Sequence, residues 1–186
     1  MTVRDDLWDV AVDHHGYVTA HDARDLGVPV VELGKLAARG KLERVSYGVY
    51  RFPQWPVGPN DPLMEAVLWT RDRKAALSHE TALALYELAD VNPDKTHVTV
   101  TPKSRELQRK QIPAAYAIHY QRLADDQIGW WEHIPAVAIP TAIDQCIDTH
   151  VRPDLVLQAI ATAERLGRLP PQTAERLEAK LRGDLR

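Results

Sequence analysis

The sequence predicts an α+β protein in two domains, and three observations carry that prediction. Residues 1–53 read as helix, short helix, helix and then two short strand-like runs around a glycine. Pro53, Pro56, Pro59 and Pro62 follow, and no regular element can run through prolines so closely spaced. Beyond them, helical and alternating patterns are mixed. We therefore place one domain at 1–53 and a mixed α/β domain at 60–186, a division that a 186-residue chain accommodates.

In the first domain, residues 4–14 set Leu7, Trp8, Val10 and Ala11 at near-helical spacing, closed by Gly16. Thr19 can cap a short helix through Asp22–Asp25, whose acids suit the positive end of the helix dipole. Gly27 stops it, and Pro29 opens a third helix that runs to Arg39 and ends at Gly40. Leu42–Val45, the turn Ser46-Tyr47-Gly48, and Val49–Phe52 make a β-hairpin. This order is that of a winged helix-turn-helix.

In the second domain, Leu63–Arg71 and Ser78–Leu88 read as helices, the latter apolar on two sides. Thr96–Thr101 is β-branched and alternating, Ala115–Tyr120 is a plausible partner strand, and Trp130–His133 and Ala136–Ile139 are shorter candidates. Thr141 with Asp144 resembles a capping arrangement before Ile143 and Ile147. Helices at Pro153–Leu166 and Pro170–Leu181, each opening on proline, close the chain.

Composition narrows the function classes. With 23 Lys+Arg against 26 Asp+Glu, the net charge of −3 argues against a non-specific polyanion binder. A single cysteine, Cys146, excludes an intramolecular disulfide and any cysteine-based zinc site. There is no apolar run of membrane-spanning length, and the opening Met-Thr-Val-Arg-Asp-Asp lacks the regions of a secretory signal, so we expect a cytoplasmic protein.

Charge placement is more telling than its sum. On the third helix, Val30, Leu33, Leu36 and Ala37 fall on one side, and Val31, Glu32, Lys35, Ala38 and Arg39 on the other. Arg24 to Arg51 holds six bases (24, 35, 39, 41, 44 and 51) against three acids (25, 32 and 43), while Asp5, Asp6, Asp9, Asp13 and Asp22 lie elsewhere. A helix with this polar stripe can enter a major groove of about 12 Å, with Lys35 or Arg39 reaching guanine O6/N7 or phosphate and Val31 a thymine methyl. Lys41 adds to the same basic stretch, and Arg44, Tyr47 and Arg51 in the hairpin are expected to contact the DNA backbone.

Gly16-Tyr-Val-Thr-Ala-His-Asp-Ala and Leu36-Ala-Ala-Arg-Gly-Lys-Leu-Glu-Arg-Val-Ser-Tyr-Gly-Val-Tyr50 resemble the N-terminal winged helix of AbiEi-type antitoxins of type IV toxin–antitoxin systems. Leu77-Ser-His-Glu-Thr-Ala-Leu-Ala-Leu-Tyr86, Asn92-Pro-Asp-Lys-Thr-His-Val-Thr-Val100 and Pro140–Asp148 are similar to that family's second domain. The resemblance implies a DNA-binding repressor of its own operon, a monomer or weak dimer on double-stranded promoter DNA. Its second domain would counter a nucleotidyltransferase-type toxin without an obligatory stable complex. It also implies recognition-helix positions at Val31, Glu32, Lys35 and Arg39 and wing positions at Arg44, Tyr47 and Arg51.

Other constellations carry less. Ser78-His79-Glu80 has the residue types of a catalytic relay, but neighbours on a helix diverge by about 100°. We read Ser78 as a helix cap and His79 as surface or interface. His97 and His119, on strands that can pair, would start a zinc site but lack a third ligand at suitable spacing, so no metal or cofactor is expected. Asp154 with Glu178 and Lys180 imitates a nuclease motif on helical sequence, so no catalysis is expected either. Trp55 and Trp130-Trp131 read as core or interdomain packing. Lys103, Arg105, Arg109 and Lys110, in a predicted loop, are the second domain's best candidates for meeting nucleic acid or an acidic partner. The rival readings are a winged-helix-targeted nuclease or other hydrolase, and a protein–protein adaptor without DNA.

Overall fold

A computed structural model describes residues 2–102 and 111–184, and its chain divides into two compact units, Met1–Arg73 and Lys74–Arg186. The candidate partner residues Lys103, Arg105, Arg109 and Lys110 lie outside the described residues.

In the first unit, α1 (Val3–Asp13) leads through β1 (Tyr17–Thr19) to α2 (Ala20–Asp25), α3 (Val30–Ala38), β2 (Glu43–Ser46), β3 (Val49–Arg51) and α4 (Asp61–Trp69). The capping chemistry is local. At the start of α2, the Thr19 hydroxyl accepts from the Asp22 amide, and the Asp22 carboxylate accepts from the Thr19 amide at 2.7 Å, satisfying two donors that a helix start leaves open. The sheet order is β1-β3-β2, antiparallel throughout. Tyr17–Thr19 forms the third strand because its backbone pairs Tyr17 with Arg51 and Thr19 with Val49. Periodicity does not predict that strand, since a three-residue run is too short to show alternation. Between β2 and β3 the register slips: Arg44 faces Tyr50 but Ser46 faces Val49, leaving Val45 as the extra residue of a β-bulge. Leu7, Ala11, Leu33, Leu42 and Phe52 anchor the core, with Trp8 edge-on to Phe52 at 4.9 Å between ring centres.

Helix α4 belongs to this first unit rather than opening the second. The physical reason is a buried ion pair: Arg51 Nη2 donates to Asp61 Oδ2 at 3.0 Å and to the carbonyls of Trp55 and Pro56 at 3.1 Å. The proline-rich stretch is thus fastened across its own length.

The second unit holds a five-stranded sheet in the order β6-β5-β4-β8-β7. Its strands are β4 (Ala76–Leu77), β5 (Thr96–Val100), β6 (Tyr116–Tyr120), β7 (Ile128–Trp131) and β8 (Ile134–Val137). The pairs β5–β6 and β4–β8 are parallel, and the other two antiparallel. Helices α5 (His79–Leu85), α6 (Ile139–Asp148), α7 (Pro153–Arg165) and α8 (Pro171–Asp184) pack in succession, α5 on α6 and α6 on both α7 and α8. Among the described residues no helix is long and apolar enough to cross a membrane.

Candidate nucleic-acid interface

The two sides of α3 behave as its periodicity requires. Leu33 is fully buried, and Leu36 and Ala37 pack on the core. Val31 is 61% exposed, and Lys35, Ala38 and Arg39 are turned outward with it. Glu32 is the ion-pair partner of Lys35 one helical turn away, at 2.6 Å. Arg39, at the C-cap, and Lys41 carry the outward positive charge of this face.

The hairpin sorts its three expected contacts in two ways. Arg44 is exposed, and Tyr47 at the tip is 67% exposed. Two guanidinium groups lie over the Tyr47 ring, Arg71 at 4.9 Å and Arg44 at 5.7 Å from its centre, a cation–π arrangement. Arg71, which sequence reasoning missed, follows α4 and offers no local pattern to find it by. Arg51 is a correction. It is 9% exposed and committed to Asp61 and two carbonyls, so it orders the hairpin from inside. Period-two alternation puts Arg51 on the face of β3 away from Tyr50, but only the fold reveals that this face is covered.

Residues 5–53 match the family model of the AbiEi antitoxin, a transcriptional regulator. The AbiEi match runs from α1 through β3 and so contains every residue that the winged-helix reading assigns to DNA. The crystal structure of the RV2827C protein from Mycobacterium tuberculosis aligns with 99% of this chain and 78% of its own, at 17% sequence identity and a TM-score of 0.44. No curated protein matches the chain.

Outside the AbiEi-matched segment, the second unit gathers polar side chains that lie far apart in the sequence. His79, expected at a surface or interface, is 4% exposed. Ser78 stands at the N-cap of α5, but its hydroxyl makes no cap bond and lies 2.9 Å from His79 Nδ1. Adjacent residues meet here because His79 has a left-handed φ of 51°, which breaks the helical geometry expected from sequence. The third ligand that spacing alone does not supply beside His97 and His119 is this same residue: one nitrogen of each of the three rings lies within 4.8 Å of the others. His79 stacks on His119 at 3.6 Å between ring centres, and His97 Nδ1 is 3.1 Å from His119 Nε2. Burial, reinforced by mutual repulsion, pushes the His79 imidazole down to about 3 and His119 down to about 4. Burial also lowers His97, so the trio is uncharged near neutral pH.

The structure also places the nuclease-like residues and Trp130. Lys180 pairs with Asp144 and Asp148 of α6, and Asp154 pairs with Arg152, so the nuclease-like acid and lysine are taken up by other partners. Trp130, read as packing, is 68% exposed on β7. Burial raises the Cys146 thiol above its ordinary value, which suits an inert core position.

Proposed function

We propose that the first unit is a winged helix-turn-helix that binds double-stranded promoter DNA. On this reading the protein is a transcriptional autorepressor with antitoxin activity against a nucleotidyltransferase-type toxin. The observation that carries the DNA half is the uncovered side of α3, where Val31, Lys35 and Arg39 face solvent within the AbiEi-matched segment. Helix α3 enters the major groove. There Arg39 and Lys35 donate to guanine edges or phosphates, and Val31 meets a thymine methyl. Glu32 holds Lys35 in the free protein and releases it when a stronger acceptor arrives. Lys41, Arg44 and Tyr47 set the orientation on the backbone, with Arg71 beside Tyr47 adding charge.

The test is a binding titration of the full chain on its own promoter. Lys35→Ala with Arg39→Ala is expected to weaken binding by roughly 5- to 150-fold for each base-edge hydrogen-bonding partner removed, at about 1–3 kcal/mol apiece. Circular dichroism should stay unchanged, because both side chains point outward from the core. Wild-type affinity in the double variant removes α3 from the mechanism. The antitoxin half is tested separately: the same variant should still rescue cells expressing the cognate toxin, whereas failure of the wild-type chain to rescue ends that part.

A further inference from the structure

We propose that His79, His97 and His119 form a binding site for one divalent transition-metal ion of the zinc class, a site distinct from the DNA-binding reading and independent of it. Three elements deliver the ligands. His79 follows β4 after one residue, Ser78, whose amide donates to the His97 carbonyl at 3.0 Å and locks that corner onto β5. His97 and Thr99 share one face of β5 by alternation, and the register pairs Thr99 with His119 on β6, so both imidazoles rise from the same side of the sheet. Helix α6 supports that side, with Gln145 Nε2 donating to Thr99 Oγ1 at 3.2 Å and to Gln121 Oε1 at 2.7 Å.

The distances suit a metal. Two nitrogens on one tetrahedral zinc, each at about 2.0–2.1 Å, are separated by about 3.3 Å. His97 Nδ1 and His119 Nε2 stand 3.1 Å apart. One nitrogen of the third ring, His79, lies within 4.8 Å of both. The outer nitrogens are arranged as the surroundings of metal-bound histidines usually are. Ser78 engages His79 Nδ1, leaving Nε2 for the ion, and Glu80 Oε2 lies 3.8 Å from His97 Nε2, leaving Nδ1 for the ion. A small shift of the Glu80 side chain into hydrogen-bond distance would complete a carboxylate–histidine–metal line. Neutral imidazole is the form that ligates a metal ion. His97 and His119 are only half-buried, so a fourth position can be filled by water. The left-handed backbone at His79 is a non-glycine outlier of a kind that persists where the surroundings hold a side chain in a required place. The bound ion would tie the start of α5 to β5 and β6.

The experiment uses the full chain stripped with EDTA and titrated with Zn²⁺ against a chromophoric chelator, then with Co²⁺ as a spectroscopic probe. One Zn²⁺ per chain is expected, and Co²⁺ should give the intense visible bands of a four-coordinate nitrogen-ligated site. His97→Gln and His119→Gln should each weaken Zn²⁺ binding at least about 100-fold, and Glu80→Gln about 10- to 100-fold. His133→Gln, an exposed control, should change nothing. Zn²⁺ affinity unchanged in His97→Gln or His119→Gln overturns the proposal, as does a wild-type chain that fails to bind. If a variant loses its fold by circular dichroism, the wild-type Co²⁺ spectrum decides: weak six-coordinate bands refute the site, and four-coordinate bands with histidine nitrogen shifts in NMR sustain it.

Discussion

Replacing Arg51 by alanine separates its two competing roles, internal fastener and phosphate contact. Its guanidinium is 11% exposed and the Asp61 carboxylate 8%, so neither charge is screened as a surface pair would be. Removing the guanidinium leaves Asp61 Oδ2 with the Gly58 amide at 3.2 Å, and strips the Trp55 and Pro56 carbonyls of a donor. Breaking one member of a buried pair costs about 3–5 kcal/mol. Strand β3 pairs with both β1 and β2, so the destabilisation should reach all three strands. Hydrogen exchange of amides such as Val18 and Tyr50 is the assay, with exchange through unfolding faster by roughly 150- to 5,000-fold. Arg51 Nε and Asp61 Oδ1 are already buried without a hydrogen-bond partner among the described residues, so replacing both partners together, Arg51→Met with Asp61→Leu, should recover most of the stability. A cost below about 1 kcal/mol, the range of exposed pairs, would refute the reasoning. So would an Arg51→Ala variant whose main defect is a smaller salt dependence of DNA binding.

Two other predictions rest on single contacts. Gly16 has φ +82°, and a Cβ there would sit 2.3 Å from Trp55 Cγ, so Gly16→Ala should lower stability by about 2 kcal/mol or more in urea unfolding; an unchanged midpoint contradicts the packing. Arg44→Ala should weaken DNA binding on all sequences alike and reduce the slope of log affinity against log salt by about 1, as deletion of one phosphate contact requires; an unchanged slope would leave Arg44 outside the interface.

The first unit is largely legible in the sequence because its information is local. Thr19 and Asp22 cap a helix within four residues, Gly27 and Pro29 punctuate it, and the 3.6-residue rhythm of α3 separates Leu33 from Val31 without reference to any other segment. What escapes depends on distant partners. Arg51 looks like a surface base until Asp61, ten residues on, covers it. The histidine trio is harder still. His97 and His119 can be paired from strand patterns, but His79 joins them through a corner whose backbone departs from helical geometry, and periodicity has no symbol for that departure. Strand β4, two residues long, carries too few positions for alternation to appear, yet it sets His79 beside the sheet.

The extra residue between Arg44 and Ser46 gives the hairpin a property that its sequence length hides. In a pleated ladder, parity decides which way a side chain looks, and an inserted residue reverses parity from that point onward. The outer part of the hairpin, with Tyr47, is therefore phased oppositely to the inner part that pairs with Arg51. Deleting Val45 would restore one-to-one pairing with Ser46 still opposite Val49, so the tip would keep the side it now presents and lose the bend and extra twist that the bulge supplies.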